Sequence, residues 1–129
     1  MNDVVVLLGR VGLSILFLVS GWGKLHDIAG TQQYMEAMGV AGALAPLVIV
    51  AELGGGLAIL TGTLTRLAAA LLALFCLLTA FIFHADLGDQ QQAIGFMKNL
   101  GLAGGFLLLS VQGAGAYSID ALWQKHRRS

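Results

Sequence analysis

Four long apolar runs constrain this chain more than any other feature. One of them contains no charged residue from its first position to its last. A helix needs about 20 residues to cross the hydrocarbon core of a bilayer, and each run is close to that length. The runs extend from about Val4 to Gly23, from Leu44 to Gly62, from Leu67 to Phe83, and from Ala93 to Val111.

The composition shows what surrounds these segments. Hydrophobic residues make up 57% of the 129 residues and charged residues 11%, whereas a soluble domain usually carries about 25% charged residues. A chain this short could not hide so much apolar side chain in one core. Open strands leave backbone groups unpaired in lipid, and four segments are too few for a barrel. The prediction is therefore all-α: a single integral membrane four-helix bundle over residues 1–129.

Several classes of function are excluded by what the sequence lacks. The net charge is zero, which argues against a nucleic-acid partner. Cys76 is the single cysteine, so no disulfide forms within the chain and no dithiol motif exists. A haem within the bundle needs two facing axial ligands; the candidates are His26 and His84, and His26 lies in a predicted loop. We expect neither haem nor metal. The first apolar run has no basic region before it and no cleavage site after it, so we interpret it as a retained membrane helix.

The distribution of charged residues along the chain predicts the orientation of the helices in the membrane. Basic residues lie in the C-terminal tail and in the turn after the second run, and acidic residues lie in the two loops on the other side. Both termini are therefore predicted to be cytoplasmic, in a multi-pass membrane protein. The basic residues are Lys125, Arg127, Arg128 and Arg66, and the acidic ones are Asp27, Glu36, Asp86 and Asp89.

Two shorter segments predict additional helices. The first outer loop is long enough for one, with an apolar edge on the membrane formed by Tyr34, Met35, Met38 and Val40. After the fourth run, Ser118 can cap a helix that has Asp120 in its first turn. Its apolar residues Ile119, Leu122 and Trp123 would face lipid, which is typical of a short interfacial anchor; specific lipid binding is the alternative.

Glycines are abundant within the runs. Gly101 and Gly105 form a GxxxG pair in the fourth run, and Gly54, Gly55 and Gly56 follow one another in the second. Close helix packing is the ordinary interpretation. A gap for a flat ligand between the helices is the alternative.

Polar residues converge on the outer half of the predicted bundle. At a rise of 1.5 Å per residue, Glu52 lies about 10 Å from the outer end of its helix, and Arg10 can extend toward it from the inner half. Two interpretations remain open. One is an ion-pair network that fixes helix register. The other is a site in which Glu52 and His84 pass protons while Lys98 and Asn99 donate to a carbonyl or an anion. The converging residues are Lys24, Glu52, His84, Lys98 and Asn99.

Six stretches of the chain resemble, in order and spacing, motifs of DoxX family membrane proteins. They are "FLVSGWGKL", "GTQQYMEAMGV", "VAELGGGLAILTGTLTR", "LLTAFIFH", "FMKNLGLAGGFLLL" and "GAGAYSID". The resemblance implies a four-helix inner-membrane protein, and the family takes its name from a membrane subunit of thiosulfate:quinone oxidoreductase. The matching positions are Lys24, Gly30, Thr31, Tyr34, Met35, Glu52, Arg66, His84, Lys98, Asn99, Ser118 and Asp120.

The leading functional hypothesis is a membrane subunit or accessory protein of a quinone-linked oxidoreductase. Glu52 and His84 are the predicted catalytic residues. Without haem, flavin or dithiol residues, the chain needs the quinone or a partner protein as the redox centre. A non-enzymatic scaffold or assembly factor is the alternative, and a small-solute carrier is a third; the sequence leaves homo-oligomerisation open. Lys98, Asn99, Lys24 and Tyr34 are the predicted ligand-binding residues, and Arg10, Arg66 and Asp120 the predicted structural ion pairs.

Overall fold

The computed structural model describes residues 2–84 and 86–128, and side chains from residue 3 to residue 126 within those ranges. Six α-helices and one short 3₁₀ helix make up these parts of the chain, and no strand occurs in them. The helices are α1 (Asn2–Leu25), α2 (Ile28–Ala37), the 3₁₀ helix (Gly42–Leu44), α3 (Ala45–Thr61), α4 (Thr65–Phe83), α5 (Gln90–Gln112) and α6 (Ile119–Arg128).

The four predicted spans are confirmed, since α1, α3, α4 and α5 are long and apolar enough to cross a membrane. Pro46 lies in the first turn of α3, where its missing N–H costs no helical hydrogen bond. Gly62 ends that helix with φ of 73°, a left-handed conformation that is open to glycine because it has no Cβ. The turn to α4 is then only three residues long, so α3 and α4 run antiparallel.

The bundle is assembled from two close pairs, α1 with α3 and α4 with α5. Buried alanines, including Ala69, Ala73 and Ala103, let the backbones approach. The pairs meet at the ring of Phe17, which packs edge-on against Phe106 at 5.5 Å between centroids and against Phe75 at 6.1 Å. This aromatic contact joins the two pairs near the middle of the bundle.

Helix α2 is confirmed in position, but the predicted apolar edge on the membrane is wrong for part of its face. Met35 is 3% exposed and points into the bundle. Tyr34 stacks on Phe83 of α4 with ring centroids 5.4 Å apart. Because α2 contacts α1 and α3 as well, it closes the end of the bundle that carries Lys24 and His84, which we call the His84 end.

The C-terminal helix α6 begins as predicted. Ser118 Oγ accepts from the backbone N–H of Ala121 at 3.1 Å. Ile119, Leu122 and Trp123 are exposed, as an interfacial helix requires. The side chains of Arg127 and Arg128, which contribute to the predicted orientation, lie outside the described side chains, and the sidedness of the termini stays a prediction.

The glycines divide into two groups. A Cβ built on Gly55 would lie 2.9 Å from Leu72 of α4, and one on Gly56 would lie 3.0 Å from Leu18 of α1. These two glycines therefore permit close packing, as predicted. The GxxxG pair does not act as a unit within the chain: Gly105 faces Leu13, but Gly101 is exposed, and a Cβ added to it would meet nothing within 4 Å.

Candidate functional site

A cavity of about 430 Å³ lies at the His84 end of the bundle, between the four long helices and beneath α2. Most of its wall is aliphatic or aromatic, including Phe17, Met35 and Phe75. Polar side chains project from all five helices. They are Ser20 and Lys24 of α1, Thr31 and Tyr34 of α2, Glu52 of α3, Thr79 of α4 with His84 at its end, and Asn99 of α5.

The strongest polar contact in the wall is the ion pair between Lys24 Nζ and Glu52 Oε1. Glu52 lies in the middle of α3 on the face toward α1, and the residue is 2% exposed. Lys24 lies in the last turn of α1, and its side chain is 34% exposed. A buried carboxylate is tolerated only when it is paired, so the cation at the cavity's edge is what allows the anion to lie deeper.

The opposite wall is held by neutral hydrogen bonds. Asn99 Nδ2 donates to Thr79 Oγ1 at 3.0 Å, and Thr79 Oγ1 donates to the carbonyl of Cys76 at 3.1 Å. This series of bonds fixes the amide of Asn99 on α5 against α4. The buried Cys76 also lines the cavity, as a small apolar side chain.

His84 lies over a glycine of α5. A Cβ built on Gly95 would be 2.7 Å from His84 Nδ1, so a larger residue there would displace the imidazole. Sequence reasoning missed Gly95, and it missed Thr79 and Ser20 as well. The signal for Thr79 was its hydroxyl, the single one in the apolar run from Leu67 to Phe83.

Lys98 was predicted to bind the ligand, and the structure corrects this prediction. It is exposed, it does not line the cavity, and the cation paired with Glu52 is Lys24. Successive residues of a helix point about 100° apart at 3.6 residues per turn, and on α5 this rotation places Asn99 in the cavity wall and turns Lys98 away from it. The prediction placed Lys98 at the correct depth along the bundle but on the wrong face of the helix.

The prediction that Arg10 extends toward Glu52 is also wrong. The residue is 1% exposed, and its hydrogen bonds within the described part of the chain all go to backbone carbonyls at the other end of the bundle. Its partners are the carbonyls of Ile59 at 3.0 Å, Leu60 at 2.9 Å, Ala114 at 2.7 Å and Tyr117 at 2.8 Å. One guanidinium thereby joins α1, the end of α3 and the segment before α6, at what we call the Arg10 end.

The other two residues predicted to form structural ion pairs, Arg66 and Asp120, instead make hydrogen bonds to backbone groups. Arg66 donates to the carbonyls of Ser110 and Val111 near the C-terminus of α5, where a cation is favoured by the helix dipole. The Asp120 carboxylate accepts from the backbone N–H groups of Leu64 at 2.7 Å and Thr65 at 2.8 Å. Asp120 of α6 therefore caps the start of α4. All three residues are structural, but each binds backbone groups.

Potential metal ligands do not cluster in the described part of the chain: no group of three or more His, Cys, Asp or Glu side chains there could hold a metal ion. The cavity's chemistry is that of one buried ion pair, an imidazole, an amide and a phenol around an apolar space. The arrangement can bind a flat, mostly apolar molecule that carries a few hydrogen-bond acceptors.

Four apolar helices closed around a buried ion pair define a multi-pass integral membrane protein. Comparison with known proteins gives the family: the DoxX family model matches residues 5–85, and the chain belongs to the DoxX family. The match includes Lys24, Tyr34, Glu52 and His84. No solved structure gives a significant match.

Two curated relatives from Escherichia coli strain K12 are similar over nearly their whole length. The chain is 57% identical to inner membrane protein YqjF over 125 residues, which cover 97% of this chain and 96% of YqjF. It is 34% identical to inner membrane protein YphA over 126 residues, which cover 92% of this chain and 90% of YphA. Together with the four spanning helices, these relatives place the protein in the inner membrane.

Proposed function

We propose that the cavity at the His84 end binds the head group of a lipid-soluble quinone, and that the protein is a membrane subunit or accessory protein of a quinone-linked oxidoreductase. One observation carries the proposal. The buried carboxylate of Glu52 and the ammonium of Lys24 form the wall of a cavity of about 430 Å³ that is otherwise mostly apolar. That volume lies within the usual range for small-molecule sites, roughly 300–1,000 Å³.

The ion pair alone does not account for the cavity. A pair that only held two helices in register would be better shielded in a close-packed interior, which is the normal condition of a protein core. Here five helices contribute polar groups to one open space, and α2 lies across its end. Such convergence of ionisable groups inside a membrane bundle favours a binding site.

The residues have distinct roles in this proposal. Lys24, His84 and Asn99 donate hydrogen bonds to the ring carbonyls, and Phe17 and Phe75 contact the faces of the ring. Glu52 holds or releases a proton next to Lys24, since a carboxylate within hydrogen-bond distance of a carbonyl oxygen can act as a general acid or base. A partner oxidoreductase supplies or accepts the electrons. Tyr34, stacked on Phe83, closes the cavity beneath α2.

The experiment is to purify the protein in a mild detergent and measure extracted quinone per protein by mass spectrometry. We expect quinone with the wild type and a loss of it in Glu52→Gln, because an amide cannot exchange the proton. Lys98→Gln is the matched control: it also replaces an ionisable residue with an amide in a spanning helix, but on the exposed face. It should keep its quinone.

Two outcomes would contradict the proposal. Unchanged quinone in a Glu52→Gln protein that melts within a few degrees of the wild type would remove the proton-exchange role and leave the carboxylate as a structural ion. A stable partner protein that co-purifies without any quinone would favour the scaffold function.

A further inference from the structure

A second cavity, of about 470 Å³, lies between α3 and α4 on the side toward the Arg10 end. We call it the α3–α4 groove. No charged side chain lines it, and Thr63 is its single hydroxyl among the lining residues. One wall is made of small residues of α3 and the other mainly of leucines of α4 and of the residue before it. The small residues are Ala51, Gly54, Gly55 and Ala58, and the leucines are Leu64, Leu67, Leu71, Leu72, Leu74 and Leu78.

The packing of the bundle explains why a groove forms there. The close pairs are α1 with α3 and α4 with α5, so the contact between α3 and α4 is the looser one. Gly54 is exposed, and a Cβ built on it would meet nothing within 4 Å. The exposed Leu67, Leu71 and Leu74 form the opposite rim. The groove is therefore a lipid-facing depression that the glycine leaves open.

The groove lies next to the cavity at the His84 end. Phe75 and Leu78 line both spaces, so the two are adjacent on α4. Along α4 the groove extends from Leu78 to Leu64, about 20 Å at 1.5 Å per residue. At the cavity itself, the wall between α3 and α4 carries the exposed Leu47 of α3 and Ile82 of α4, so the cavity also opens toward lipid between these two helices.

We infer that the α3–α4 groove holds the isoprenoid tail of the quinone whose head group occupies the cavity. This inference rests on the proposed function. A ring bound beside Glu52 and Lys24 must have its tail leave the bundle, and the α3–α4 groove is apolar, open to lipid and adjacent to the cavity. Lipid chains are as apolar as leucine, so the hydrophobic effect does not drive a tail into the groove. The groove instead supplies close van der Waals contact, and the bound head group holds the tail nearby.

The tail's path can be mapped with a photoreactive ubiquinone that carries a diazirine near the end of its isoprenoid tail. After illumination of the purified full-length protein, mass spectrometry identifies the labelled peptides. We expect labelling of the part of α4 that contains Leu67 and Leu71. An excess of tailed ubiquinone should abolish that labelling, and the same ring without a tail should reduce it by displacing the head group.

Gly54→Leu tests whether the groove itself matters, because the leucine side chain would occupy the space that the tail needs. The matched control is Gly104→Leu on α5, since Gly104 is also exposed and also has nothing within 4 Å of an added Cβ. Both changes gain similar helix propensity. We expect Gly54→Leu to weaken binding of tailed ubiquinone by about tenfold, which corresponds to about 1.4 kcal/mol, and to leave binding of the tailless ring unchanged. Gly104→Leu should change neither.

The outcomes separate this inference from the proposed function. If both ubiquinones bind but the label falls on α5, or Gly54→Leu and Gly104→Leu behave alike, the groove does not hold the tail and the cavity site stands. If neither the tailed nor the tailless quinone binds and labelling does not saturate, the quinone site itself is wrong and the inference is overturned with it.

Discussion

Lys24→Met tests the ion pair on which the site depends. Methionine keeps much of the length of the lysine side chain but removes the charge, so the Glu52 carboxylate loses the cation that the structure places against it. Glu52 is 2% exposed and lies within a helix that spans the membrane. Since Lys24 is the cation that the described part of the chain pairs with this carboxylate, we expect a large loss of stability.

The magnitude follows from the burial of the carboxylate. Removing one partner of a buried ion pair typically costs about 3–5 kcal/mol, because it leaves an uncompensated buried charge. The lysine side chain is 34% exposed, which places the expected loss near the lower end of that range, at about 3 kcal/mol. Glu52→Gln in the same molecule removes the unpaired charge, so the double variant should recover most of the loss.

The assay is reversible unfolding in mixed micelles of a mild and a denaturing detergent, followed by circular dichroism, for the wild type, both single variants and the double variant. Lys98→Met is the matched control, because it makes the same substitution at an exposed position of a spanning helix. It should change stability by about 0.5 kcal/mol or less. Equal effects of Lys24→Met and Lys98→Met, or strictly additive effects of the Lys24 and Glu52 changes, would refute the pairing.

Two further predictions concern the Arg10 end and the topology. Arg10→Met should lower the free energy of unfolding by several kcal/mol, since four hydrogen bonds from a charged group to backbone carbonyls are lost. Arg66→Met, at an exposed position, should cost about 1 kcal/mol or less. The same detergent titration measures both variants, and similar losses would contradict the central role of Arg10. Reporter fusions at Ser129 and near Asp89 should give opposite sidedness, with Ser129 cytoplasmic, and the same side for both would show that the predicted orientation is wrong.

The four spans could be predicted from the sequence because they depend on a property that is summed along the chain. Transfer of a helix into lipid requires about 20 apolar residues, and their order within the segment matters little. For the same reason the depth of each polar residue could be predicted by counting from the helix ends. Glu52, His84, Lys24 and Asn99 were all expected near one end of the bundle, and all four line the cavity there.

Part of the local structure could also be predicted, where a residue acts on its own backbone. Ser118 caps α6 and Gly62 ends α3, since both effects involve atoms within a few residues in sequence. Asp120 shows the limit of such reasoning. Its place in the first turn of α6 was expected, but its carboxylate binds the backbone of α4, more than fifty residues away in the chain.

What only the tertiary structure decided is which face of each helix points inward. Lys98 and Asn99 have the same depth and differ only by a rotation of about 100°, yet one faces outward and the other lines the cavity. In a membrane the outward face is as apolar as the inward one, so hydrophobic periodicity does not reveal the rotation of a helix. The pairing of α1 with α3 is what brings Lys24 to Glu52, and it depends on contacts such as Gly56 against Leu18. The sequence by itself therefore determined the spans and the depth of the charges, whereas their partners were decided by how the four helices rotate and pack.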